Sequence, residues 1–405
     1  MKKVLIIISI IILVGVGFWY FNRGTTQPTT PTDTTGGSRS FFPFGTSKTN
    51  VDDTTNGETN TIGQTQNGEG ATKQKLNQIT TFAVAGVTTL LDSRTTPNKD
   101  TDIAPTTDLV PAVRYVERAT GHIYEQYLDT GVVGKISDSS VLGIHEAIFG
   151  NDGRSVIYRY LSNDDQTIES FLGTLGGDKG SFLPENISAI TTSPDGSQFF
   201  YLMPFGGDTA GNIQPFSGSG KNQIFTSSFT EWLPEWGGSV IFLTTKPSAN
   251  VTGYLYASKA ETGGFSKVFG GILGLTTKTN EAGTQILYSN NNLDLGIYDL
   301  TNKNFNKLGF QTISDKCVWS NDNINIYCGI PQNVGKGAYP ESWYQGQVSF
   351  SDHIVKINTQ TGNGIDMVDT TEVGGLDATY LILDKAESKI FFINKKDSTL
   401  WSLDL

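Results

Sequence analysis

The side chains able to do chemistry in this 405-residue chain are few and scattered. Its three histidines, His122, His145 and His353, stand far apart, and none has a second histidine at metal-ligand spacing, so they read as half-buried strand or turn residues. No Gly-x-Ser-x-Gly elbow, His-Glu-x-x-His helix or Gly-x-x-x-x-Gly-Lys-Ser/Thr loop occurs. The sequence therefore assigns no catalytic residue, no cofactor and no metal. The acidic turns Asn151-Asp152-Gly153 and Asn163-Asp164-Asp165 lack the spaced oxygen ligands of a calcium loop and read as structural turns. Asn186 and Asn250 fit the glycosylation sequon. Cys317 and Cys328, the only cysteines, fall on adjacent expected strands flanking the turn at residues 320–323. They form either a disulfide or two buried thiols, and strand register decides between the two.

The aromatics best suited to meeting a partner lie on two long segments. Residues 204–222 are Gly-rich and carry Phe205 and Phe216; residues 331–347 carry Tyr339, Trp343 and Tyr344. Both read as enlarged connections between second and third strands of a repeat, gathered on one face of the domain. There these five rings form a candidate binding face for a protein or a glycan, or else simply cover the ends of the sheets.

The elements that would position them come from a repeat. Ser193-Pro194-Asp195-Gly196 leads into Phe199-Phe200-Tyr201, and the same turn-then-apolar pattern recurs at Val156-Ile157-Tyr158, Val240-Ile241-Phe242, Ile286-Leu287-Tyr288, Ile326-Tyr327 and Ile390-Phe391-Phe392, with Val113-Arg114-Tyr115 most degenerate. The aromatic column Tyr115, Tyr158, Tyr201, Phe242, Tyr288, Tyr327 and Phe392 is spaced by 43, 43, 41, 46, 39 and 65 residues, near the length of a four-stranded blade. A strand buried on both faces reads as such a continuous apolar run. The chain ends on Thr399-Leu400-Trp401-Ser402-Leu403, a third strand with nothing after it, so residues 73–81 are expected to supply the missing outer strand and close the ring. The expectation is an all-β, seven-bladed β-propeller over residues 73–405, closed by an N-terminal strand.

The Ser193-Pro194-Asp195-Gly196 turn with Phe199-Phe200-Tyr201 resembles the repeat of TolB-like and WD40-like propellers. That resemblance implies a non-catalytic binding or scaffold module for envelope proteins or glycans; the alternative is a propeller hydrolase or lyase acting on envelope glycans or peptides. Ionisable residues converging at the channel mouth would favour the enzyme, and an uncharged aromatic rim would favour binding.

Ahead of the repeat, residues 4–21 carry no ionisable side chain, span roughly 27 Å as a helix and follow Lys2 and Lys3. They read as a signal anchor within residues 1–23, N-terminus in the cytoplasm and domain outside, with a cleavable signal peptide as the alternative. Residues 24–72 are dominated by Thr, Gly, Asn and Gln and read as a disordered linker interrupted by Phe41-Phe42-Pro43-Phe44. Residues 1–75 hold 7 basic and 5 acidic side chains of the chain's 29 and 40, leaving 22 against 35, or -13, for the rest. A domain of that sign repels phosphate backbones, so nucleic acid is not an expected partner.

Overall fold

The computed structural model describes residues 75–96, 106–150, 153–176 and 180–405. The expected anchor, the linker and Asn151-Asp152 lie outside the described residues. Among the described residues no helix is long and apolar enough to cross a membrane.

Each turn-then-apolar repeat folds as the first hairpin of a four-stranded antiparallel sheet. In the turn at 193–197 the Asp195 carboxylate accepts from Ser193 Oγ at 2.6 Å and Ser197 N at 3.0 Å, while Gly196 takes φ +66°. Asp322 does the same work for Ile324 N and Asn325 N, and Asp384 for Ser388 N and Lys389 N. A carboxylate saturated by its own turn releases the chain directly into the apolar strand.

The strands follow in chain order from β1 (Leu76–Gln78). Blade 1 holds β2 (Val84–Thr96), β3 (Thr106–Glu117), β4 (Ile123–Tyr127) and β5 (Val133–Ser137), and blade 2 holds β6 (Ile144–Phe149), β7 (Ser155–Leu161), β8 (Ile168–Thr174) and β9 (Gly180–Phe182). Blade 3 holds β10 (Ala189–Thr192), β11 (Gln198–Phe205), β12 (Asp208–Pro215) and β13 (Asn222–Ser227). Blade 4 holds β14 (Trp232–Gly237), β15 (Val240–Thr245), β16 (Thr252–Lys259) and β17 (Gly263–Leu273). Blade 5 holds β18 (Thr276–Thr279), β19 (Gln285–Ser289), β20 (Asp294–Asp299) and β21 (Asn304–Gln311). Blade 6 holds β22 (Cys317–Trp319), β23 (Asn325–Pro331), β24 (Asp352–Asn358) and β25 (Gly364–Asp369). Blade 7 holds β26 (Ala378–Leu383), β27 (Lys389–Asn394) and β28 (Leu400–Asp404), and β1 completes it by pairing Leu76, Asn77 and Gln78 with Leu403, Ser402 and Trp401.

The core is divided among the interfaces between successive blades. Blades 2 and 3, for example, share Ile157, Leu172, Ile187, Phe199 and Tyr201, and the last interface joins Phe391, Ile393 and Leu400 of blade 7 to Val84, Val113 and Tyr115 of blade 1. That contact makes the array a ring, a seven-bladed propeller. First strands of neighbouring blades touch one another, including β26 with β2, so they lie innermost around the axis. All seven column aromatics are buried on second strands. Phe242 and Tyr327, however, face the following blade, whereas the other five face the preceding one. In those two blades the matching position facing the preceding blade is taken by an aliphatic or disulfide-bonded neighbour one residue away, such as Ile326 or Cys328.

The segment 204–222 is not an enlarged loop. Phe205 pairs with Asp208 across a tight Gly206-Gly207 turn, and Asp208–Pro215 is a full third strand. Its Asp, Gly and Asn content hid it from a propensity reading. Gly211 is required there, because a Cβ would stand 2.4 Å from the Phe225 ring.

Candidate functional site

Connections from second to third strands and from blade to blade emerge at the same end of the ring, since β23 ends where β22 begins and β24 begins there too. The segment 332–351 crosses this face as a strap. Its one-turn helix α1 (Glu341–Tyr344) places three anchors. The Glu341 carboxylate accepts from Ala249 N of blade 4 at 2.8 Å, Trp343 Nε1 donates to Asp377 of blade 7 at 3.0 and 3.1 Å, and Tyr344 Oη donates to Asp315 Oδ2 of blade 6 at 2.5 Å.

The strap turns the expected binding aromatics inward. Tyr339 and Trp343 are buried with Leu293, Ile313 and Phe350, so their rings close over blades 5 and 6 and present no surface to a partner. Phe216 is also buried, at the opposite end of its blade, where it packs on Phe199 at 5.0 Å. Tyr344 is half-buried and points its hydroxyl at Asp315. Of the five, Phe205 alone is exposed, at 54%, on its hairpin tip. The structure thus does not bring the five together; burial of large rings outweighs their display.

Beneath the strap lies a buried ionic cluster that the sequence did not announce. Lys316 Nζ, fully buried, donates to Asp352 Oδ2 at 2.8 Å, to Ala378 O at 3.0 Å and to Asp377 Oδ1. Burial would lower the Lys316 ammonium, but the two carboxylates hold it above its ordinary value. Asp377 also accepts from Trp343, Ser349 Oγ and Phe350 N, and these donors with Lys316 overcome burial and keep it low. Asp352 has fewer donors, its Oδ1 has none, and burial pushes it up to about 6. The cluster ties blade 6 to blade 7 and is shut off from solvent.

Solvent does reach the charged groups on the inner strands. Glu235 on β14 lies 3.3 Å from Lys278 on β18, with side chains 20% and 40% exposed, and the Glu235 carboxylate also accepts from Thr279 N at 2.6 Å. Burial raises Glu235 and Asp315 above the usual carboxylate range, and it drives the Tyr344 phenol well above 10. On the far side, Tyr380 Oη of β26 donates to Glu146 Oε1 of β6 at 3.1 Å. Blades 7 and 2 are not neighbours, so this bond bridges them in front of blade 1. Glu146 is also paired with Arg159.

The histidines stay apart. His122 contacts Ser140 and Glu117, His353 Nδ1 lies 2.7 Å from Asp366, and burial together with Arg118 lowers His145. Among the described residues no group of His, Cys, Asp and Glu could hold a metal ion. Asp164 spends its carboxylate on Gln166 N and Thr167 within its own turn. Cys317 and Cys328 face each other across β22 and β23 with Cα atoms 4.1 Å apart and form a disulfide.

No family model matches the sequence, and no curated protein matches it. Among solved structures the chain is similar to an oligogalacturonate lyase in complex with manganese, at 11% identity over 80% of this chain and 98% of that one, with a TM-score of 0.50. It also matches TolB from Acinetobacter baumannii (10% identity, 78% and 80% of the two chains, TM-score 0.43). A third match is the β-propeller domain of Cps50 (Swd1) from Myceliophteria thermophila (10% identity, 81% and 98%, TM-score 0.49). At 11% identity the likeness to the lyase is one of fold alone.

Proposed function

We propose that this propeller is a non-catalytic binding or scaffold module for envelope proteins or glycans, held outside the cytoplasmic membrane by residues 4–21. The observation that carries this reading is an open groove of about 490 Å³ on the strap face, between blade 5 and the strap. Its wall offers Asn291, Asn292, Asp294 and Gln311, its rim offers the exposed Gly335-Lys336-Gly337 backbone, and Lys336 has no polar partner among the described residues. Amides, backbone groups, one carboxylate and one cation suit hydrogen bonding to an extended peptide or a sugar. A photo-crosslinking residue at position 336 should capture one defined envelope component in intact cells, and the same residue at Asn302, on the opposite face, should not. Equal capture at both positions would remove the groove from consideration.

The charged channel favours a second reading, a hydrolase or lyase acting on envelope glycans or peptides. Glu235 and Asp315 are carboxylates raised by burial in a solvent-reached channel, which is the state a general acid needs. Release of reducing ends or amines from envelope material that vanishes in Glu235→Gln and Asp315→Asn would establish it.

A further inference from the structure

Arg94, Arg114 and Arg159 each have a carboxylate partner. Arg118 has none among the described residues, in a domain where acidic side chains outnumber basic ones 35 to 22. It stands in the turn after β3, fixed by its own backbone: its N donates to Ala83 O at 2.9 Å and its O accepts from Ile144 N at 3.1 Å. The side chain runs inward toward the channel mouth. There Nη2 makes only a long contact, 3.4 Å, to His145 O, and Nε is shielded from solvent with no partner among the described residues. Nε is out of a ligand's reach, but the Nη end, held only by that long contact, can take an oxyanion by two parallel N–H···O bonds.

The surroundings fit such a guest. The Tyr380 phenol lies near the Arg118 guanidinium, and the residue is 37% exposed. Its backbone sits at φ +51°, a strained region for an aromatic residue that persists where the surroundings impose it. Among the described residues, His145, which burial keeps toward its neutral form, and Glu146, whose charge is met by Arg159, lie nearby. The strap anchors on blades 4, 6 and 7.

We infer that the channel mouth between blades 7, 1 and 2 binds a small ligand through a carboxylate or phosphate group on the Arg118 guanidinium, with the body of the ligand against the Tyr380 ring. This site is separate from the groove beside Lys336, and neither depends on the other.

The test uses the full chain in a nonionic detergent. Acetate and inorganic phosphate are titrated separately at constant ionic strength against chloride, and the thermal unfolding midpoint is followed. A saturable rise is expected with at least one anion, and whichever saturates at the lower concentration identifies the carboxylate or the phosphate as the recognised group. Arg118→Gln should shift the half-saturating concentration upward by about tenfold or more, the effect of losing one charged hydrogen-bonded contact. Should that variant fail to fold, Arg118→Lys keeps the charge but loses the fork, and it should weaken the same anion while leaving the anion-free midpoint near that of the parent. Superimposable titrations in parent and variant, or no saturable rise with either anion, would overturn the site. Loss of crosslinking at position 336 would leave these titrations unchanged.

Discussion

Asp352 and Asp377 share one lysine yet are held differently, and the difference lies in how many donors each carboxylate collects. Asp352 is raised to about 6 from an ordinary 3.8, so the folded state binds its proton more tightly than the unfolded chain. Its contribution to stability is then fully present below about 4 and is lost as pH rises through 6, by up to about 3 kcal/mol. Asp164 and Asp322 work in the opposite sense: held near 2 by turn donors, they support the fold above 3.8 and lose that support as pH falls toward 2. Asp352→Asn is expected to flatten the decline in unfolding free energy between pH 4 and 7, as read by urea titrations across that range. Asp377→Asn should instead cost about 3–5 kcal/mol at pH 7, since it strips charge from a carboxylate with four kinds of donor. Equal losses in the two variants would contradict this division. None of it was legible beforehand, because Ser314-Asp315-Lys316 reads as an exposed polar turn until the strap is laid over it. The Glu146–Tyr380 bond joins residues 234 positions apart and emerges only once the ring has closed.

The elements were far more readable than the residues that line the mouth. Second strands announce themselves because both faces are buried, and their turns announce themselves because Asp, Asn and Gly are needed for local hydrogen bonds and positive φ. The choice of face was not readable where an aliphatic residue replaces the aromatic, as at Ile326 beside Tyr327. Third strand β12 was missed because Asp208, Gly211 and Asn212 are held by their neighbours and not by their own propensity. Strand β22, only three residues long, carries the turn that presents both Asp315 and Lys316, and its bond to Cys328 fixes it to β23. Closing a loop of 11 residues restricts the unfolded chain by about 3 kcal/mol. The Cys317→Ala/Cys328→Ala double variant should lose roughly that much in guanidinium unfolding, and adding reductant to it should change nothing further. A double variant as stable as the parent would show that the pairing does not hold this strand.

At the scale of the whole ring, stability is passed from blade to blade, and the joint that closes the ring is made by the two ends of the described chain. Strand β28 is gripped on both edges: on one it pairs with residues 389–393 of β27, and on the other Leu403 and Trp401 pair with β1, Leu400 O accepts from Ile79 N and Thr80 N, and Thr80 Oγ1 accepts from Leu400 N. Leu400 and Leu403 are fully buried and Trp401 is 8% exposed. Burying three such side chains contributes roughly 5–9 kcal/mol, as much as the whole stability of an ordinary domain. Removing residues 400–405 also opens the blade 7 to blade 1 interface, where Leu400 meets Val84, Val113 and Tyr115. Ending the chain at Thr399 should therefore abolish cooperative unfolding of all seven blades and leave the inner edges open to aggregation. The single change Leu403→Ala, which keeps the strand, should cost about 2–5 kcal/mol and preserve one sharp transition. Calorimetry of the two side by side decides the matter: a truncated chain that melts in one transition near the parent's midpoint would mean that the ring does not need its closure.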